Sequence, residues 1–373
     1  MTENRQTETE NYTFRMLYLM AILFVVDGHI PLTGELLNFG GLFRYYSFHM
    51  LMFAFGSGYF FHSDCSFGSA LLKDCRRLLL PLYLYNIAYG LIAAFLRKGL
   101  GTEIGSSLSM YTLLIAPILD GQHFAYNLGA WFIGALFLVR TVYRALYNLC
   151  SRYMTAPDAG AAVLSFVLGS LAVYSARTFE VLPVMLPLLR AGILLPGYAL
   201  GFLYRTRLER IDRMPTLPYL TILVLLRVLF TTIVPENAYL LSDLSYIPCG
   251  PAGIYLGGLL AIAFYLRIAR ILSVHIAGCR PLLYVSRHTF EIMMHHGLGL
   301  FVLNVGFLLL NWLHLGARDF SVLQLRTVVN YVYAPDGAPQ WAALYLIFSI
   351  VFSCLIAWLT ERAAGQIRQM IRK

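Results

Sequence analysis

Charge is scarce in this chain. Asp, Glu, Lys and Arg together make up 13% of its 373 residues, against 59% hydrophobic residues. A water-solvated globular domain of this length cannot be covered by so few ionic groups, so the composition points to a polytopic membrane protein. Paired cysteines are lacking too: Cys65, Cys75, Cys150, Cys249, Cys279 and Cys354 stand singly, with no C-x-x-C pair and no metal-ligand spacing. No disulfide framework and no metal site are therefore expected. No Lys/Arg-led leader with a small-residue cleavage site precedes the first apolar run, so that run is expected to be retained, with residues 1–13 a polar cytoplasmic tail. The sequon Asn11-Tyr12-Thr13 falls in that tail. No repeat of fixed period stands out, and one membrane domain accounts for residues 1–373.

Apolar windows bounded by charge, Pro or Gly lie near residues 16–33, 47–62, 78–96, 127–147, 159–176, 184–204, 217–234, 250–268, 288–312 and 341–360. They predict an all-α protein with about ten transmembrane helices and both termini on one side. Twenty of the 28 Lys and Arg residues then fall on the side of the termini, six fall opposite, and Arg190 and Arg227 lie inside spans. The excess makes that side cytoplasmic. The net charge of +9 thus reports topology and contact with membrane lipids, not nucleic acid. Two loops on the opposite side, 97–126 and 313–340, are long and carry enough Leu, Tyr and Ile to act as caps over a cleft.

The stretch Phe14–Phe61 organises the chain, because it holds two apolar runs each carrying a histidine, His29 and His49. An ionisable residue in such a run is a functional-site hypothesis by default. Tyr18, eleven residues before His29, lies about 20° away around the helix, and Arg15, fourteen before, about 40° away. Asp27 lies roughly 160° round from His29, so a contact with another helix and a catalytic role both stay open for it. Lys73, Arg76 and Arg77 stand where a helix enters from the cytoplasm, suited to anchoring or to phosphate. In the ninth window His288, Glu291 and His295 fall at i, i+3, i+7 and are expected to form a carboxylate–histidine network, with His296 one step around. The pattern is not H-E-x-x-H, and no metal is expected.

A first span ending VVDGH, a second reading FHMLMFAFGSGYFF, the basic K-D-C-R before a span with Pro81, WFIGALFLV from Trp131 to Val139, and the late TFEIMMHH together resemble acyltransferase family 3. The order extends over nearly the whole chain, and IMMHH is most similar to the branch acting on capsular or other exported polysaccharides. The resemblance implies a membrane O-acetyltransferase that takes acetyl-CoA from the cytoplasm and acetylates a sugar hydroxyl of a cell-surface glycan. It would reside in a plasma membrane, as in the bacterial cytoplasmic membrane. By the same resemblance His29 is the catalytic histidine, and His49, Ser57 and Gly58 match the second-span motif. Lys73 and Arg76 match an R-x-x-R motif that handles acyl-CoA, with Arg77 beside them. The family carries Arg or Lys where this chain has Tyr18, which leaves Arg15 to take that part. Asp27, Ser57, Trp131, His288, Glu291, His295 and His296 are expected around substrate or in a supporting network. A proton-coupled transporter using the same histidines is the rival reading.

Overall fold

The computed structural model describes residues 11–32, 37, 38, 41–119, 124–127 and 129–371. The tail residues 1–10, with Arg5, and the terminal Arg372 and Lys373 lie outside the described residues. Two short helices come first, α1 (Tyr12–Gly28) and α2 (His49–Tyr59). Eight longer apolar helices follow: α3 (Phe67–Leu100), α4 (Ala130–Tyr153), α5 (Pro157–Thr178), α6 (Pro183–Leu208), α7 (Thr216–Ile233), α8 (Pro251–Gly278), α9 (Thr289–Trp312) and α10 (Trp341–Gln366). The chain is an all-α, multi-pass membrane protein, with eight helices among the described residues long enough to span, not ten.

The correction concerns α1 and α2. At 17 and 11 residues they are shorter than any of the eight. Ten of the 17 residues of α1 and ten of the 11 in α2 are buried, but so is most of the spanning windows of α6 and α9, so length and not burial sets the two apart. α2, apolar all round and only about 16 Å long, fits a bundle core better than a bilayer crossing, and α1, about 26 Å long, stops just short of the hydrocarbon thickness. α1 begins at Asn11, whose side chain accepts from the Phe14 amide at 3.2 Å. The predicted tail therefore gives way to helix before residue 13.

Close backbone approach holds α2 against α6. A β-carbon on Gly58 would lie 1.8 Å from the Tyr198 carbonyl oxygen, and one on Gly201 would lie 1.9 Å from that of Phe55. Small residues let helices in a membrane meet at this distance, where dispersion and not hydrophobicity supplies the attraction. Arginines lock the end of the bundle beyond Tyr59. Arg144 donates to the Cys65 and His62 carbonyls at 2.8 and 2.9 Å, and Arg205 donates to that of Phe61. Arg140 makes a two-pronged pair with Asp74 at 2.9 and 2.8 Å, and Arg207 a similar one with Asp158. Arg267 and Arg270 share Asp212. Several of the cations that set the charge asymmetry therefore also join neighbouring segments at this end.

Gly58→Ala and Gly201→Ala should each lower stability by roughly 2–3 kcal/mol, since backbone cannot yield to the added methyl. Gly306→Ala, where nothing lies within 4 Å, should leave stability unchanged or slightly raised. Thermal unfolding of the purified variants in detergent checks both.

Candidate functional site

The last four carbonyls of a helix have no partner within it and must find one elsewhere. In α1 each does. Val26 O and Asp27 O accept from the His29 and Ile30 amides at 3.1 and 2.9 Å. Gly28 O accepts from the Tyr46 hydroxyl at 2.7 Å, and Val25 O accepts from His29 Nδ1 at 2.8 Å. His29 therefore caps its own helix. Gly28 makes room, because a β-carbon there would come within 2.9 Å of the Tyr46 oxygen. Burial, reinforced by the Asp27 charge, raises the Tyr46 phenol above its ordinary pKa and keeps it a donor. Asp27, fully buried, turns instead towards the Tyr45 phenol.

Two further imidazoles repeat the device. His49 Nδ1 donates to Tyr45 O at 2.6 Å, and His296 Nδ1, on α9, to Ile292 O at 2.9 Å. A carbonyl only accepts, so in all three rings Nδ1 carries the proton and, in the neutral ring, Nε2 is left with a lone pair. The His296 Nε2 lone pair faces His29 Nδ1 at 3.3 Å, with ring centroids 4.7 Å apart. His29 and His49 line one cavity of about 230 Å³ with Tyr46, Met50, Trp131 and Met293, closed by Tyr239–Ser242 and by Val329 and Asn330.

Two buried arginines fix the cavity walls. Arg227 has no exposed surface. It donates to Leu42 O (2.8 Å), Gly257 O (3.1 Å), Ser47 Oγ (3.1 Å) and Asn237 Oδ1 (3.2 Å), between the rings of Phe43 and Phe230. It thereby ties the α1–α2 connection to the 234–250 loop. Arg190 donates to Leu119 O and Ser242 O and lies 5.4 Å from the Trp131 ring. The 313–340 loop contributes Val329 and Asn330 to the wall, and the 97–126 loop is joined to it by the Glu103 amide on Arg326 O at 2.8 Å.

The other expected residues are distributed over the bundle. Trp131 and His49 share the cavity with His29. Tyr18 lies lower on α1 against Gly56 and Phe53, with Arg15 below it, and neither lines the cavity. Ser57 accepts from Arg140 at 3.1 Å, which joins it to Asp74 at the arginine end. Lys73, Arg76 and Arg77 are exposed on α3. Arg76 is 13 residues, or about 20 Å along the axis, from Tyr89, whose hydroxyl is hydrogen-bonded to His295 Nδ1 at 2.7 Å.

Among the described residues Glu291 is hydrogen-bonded to neither His288 nor His295, and only its charge reaches His288. His288 precedes the first turn of α9 with φ −107° and ψ 30°, so it is out of helical register with the other two. Its carboxylate partner is Glu361 at 3.1 Å, and its ring stacks on Tyr284. His295 faces Tyr89 on α3, and His296, one step around, faces His29 on α1. Tyr46, Asn330, Ser242 and the two wall arginines were not singled out by sequence as site residues. The one available signal was the pair of intramembrane cations, Arg190 and Arg227. Among the described residues no group of three or more His, Cys, Asp or Glu could hold a metal ion. No family model, no curated protein and no solved structure matches this chain.

Arg227→Met should loosen both segments that the guanidinium joins. Hydrogen–deuterium exchange is expected to speed up roughly ten-fold in residues 41–47 and 234–246, the size of one lost buried hydrogen bond, while exchange in α4 stays as in the wild type.

Proposed function

We propose that this chain is a membrane O-acetyltransferase that moves an acetyl group from cytoplasmic acetyl-CoA to a sugar hydroxyl of an exported or cell-surface polysaccharide. One observation carries the reading: His29 and His49, each with Nδ1 held by a carbonyl and Nε2 left as the acceptor, line a single cavity beside Trp131 and Tyr46. A ligand that complements it offers hydroxyl donors to the two imidazoles and a C–H face to the aromatic rings, and a sugar has both. The motif resemblance supplies the donor.

In this reading His29 is the general base. Its Nε2 takes the acceptor hydroxyl proton as that oxygen attacks the thioester carbonyl. The carbon–sulfur bond then breaks, and the departing thiolate recovers the proton from His29 Nε2. His49 accepts from a neighbouring hydroxyl and fixes the ring. Lys73, Arg76 and Arg77, exposed and about 20 Å along α3 from the level of the histidines, suit the charged nucleotide, whose long arm carries the thioester inward. The membrane in this reading is a plasma membrane of bacterial cytoplasmic type.

Thiol release from acetyl-CoA by the protein in nanodiscs, with and without oligosaccharide acceptors, tests the proposal. His29→Gln should lower turnover by roughly 10²- to 10⁴-fold, whereas His288→Gln, whose ring is engaged by Glu361 and Tyr284, should retain it. The Arg76→Gln/Arg77→Gln double variant should lose acetyl-CoA affinity by calorimetry. A folded wild type that does not bind acetyl-CoA, or a His29→Gln variant with normal turnover, would overturn the reading. The former result would favour proton-coupled transport.

A further inference from the structure

Resting on His29 as the base, we infer that His296 is its positioning residue, accepting the Nδ1–H of His29 and stabilising the imidazolium that forms when Nε2 takes the acceptor proton. The geometry leaves His296 little else to do. Its side chain is fully buried, and its Nδ1–H is committed to Ile292 O one turn back on α9. The remaining lone pair, on Nε2, meets His29 Nδ1 at 3.3 Å. Since Val25 O at 2.8 Å takes the same Nδ1–H, the proton is shared between two acceptors. One comes from the helix that carries the base and the other from α9.

Each acceptor fixes a different property. Val25 O selects the tautomer, and it does so whether or not α9 is present. His296 sets the ring plane, because its lone pair must lie along the N–H direction, and it adds a second dipole pointing at the ring that becomes charged. A hydrogen bond to a charged group is about twice as strong as one between neutral groups. The second bond therefore strengthens at the moment of proton transfer and weakens when the proton returns, which is what transition-state stabilisation requires.

A carboxylate is the commoner partner for a catalytic histidine. At this depth it would have to be held as a buried anion before the reaction starts, and an unpaired buried charge is costly. A neutral imidazole offers the same acceptor without that charge. His295, the adjacent residue, cannot substitute: it faces Tyr89 on α3, not α1.

His296→Leu removes the acceptor, and His296→Gln returns a carbonyl oxygen near the position of Nε2. With acetyl-CoA as probe, kcat should fall about ten- to a hundred-fold in His296→Leu, the weight of one hydrogen bond to a charged group. The KM for acetyl-CoA should stay within two-fold, and His296→Gln should recover most of the loss. Independently of activity, solid-state NMR of histidine-¹⁵N-labelled protein should show a coupling between His29 Nδ1 and His296 Nε2, with the His29 Nδ1 signal shifted in His296→Leu. An unshifted His29 signal, or unchanged kcat in His296→Leu while His29→Gln is inactive, would overturn the role of His296 and leave the acetyltransferase reading standing. Full activity in His29→Gln would instead remove the base itself.

Discussion

A guanidinium with no exposed surface has to satisfy its N–H groups within the protein, and Arg227 does this with oxygens drawn from four places in the chain. Two of them, Leu42 O and Ser47 Oγ, belong to the connection between α1 and α2. That connection carries Tyr45 and Tyr46 and leads into His49. A third, Asn237, begins the loop that closes the cavity. Buried charge is expensive unless it is fully hydrogen-bonded, so this connection and this loop are held in the arrangement that keeps Arg227 satisfied. The position of one imidazole and the shape of the wall opposite thus follow from a residue that is not in the lining of this cavity.

The histidines themselves are held by helix ends. His29 takes a carbonyl of the turn it follows, and His49 and His296 each reach back four residues to a carbonyl. A side chain tied to its own backbone moves with the helix, and the α2–α6 contact through Gly58 and Gly201 leaves that helix little room to shift. Precision in the site is therefore inherited from backbone packing, which suits chemistry that is sensitive to fractions of an ångström. The loops play a different part: they supply the wall of the cavity through Tyr239, Ser242 and Asn330.

Much of the fold was legible in the sequence, because the windows for α3 to α10 rest on length and apolarity alone. The failure at α1 and α2 has a physical cause. Apolar periodicity reports exclusion from water, and a helix wrapped by other helices satisfies it as well as one wrapped by lipid. That His29 and His49 share a neighbourhood followed from their place in consecutive apolar runs joined by one connection. His296 could not be separated from His295 by sequence, since consecutive residues on a helix face different neighbours and only the tertiary arrangement says which neighbour is α1. The pairing expected of His288 with Glu291 failed because His288 lies just outside the helix, and an error of one residue at a boundary removes a spacing argument entirely.

His29, His49 and His296 carry their proton on Nδ1, and among the described residues none has a carboxylate partner, although Asp27 is only two residues from His29. Its carboxylate turns towards the Tyr45 phenol. Had the helix continued through His29, the base would have been carried round the axis in helical register; instead the chain leaves the helix at His29, with φ −95° and ψ 2°. Breaking the helix at Gly28 frees the imidazole to turn back on Val25 and to meet α9, while the Asp27 carboxylate stays buried against Tyr45. Two residues apart, the imidazole thus lines the cavity with its Nδ1 held by a carbonyl, while the carboxylate is buried out of the lining and reaches the cavity only through its charge on Tyr46.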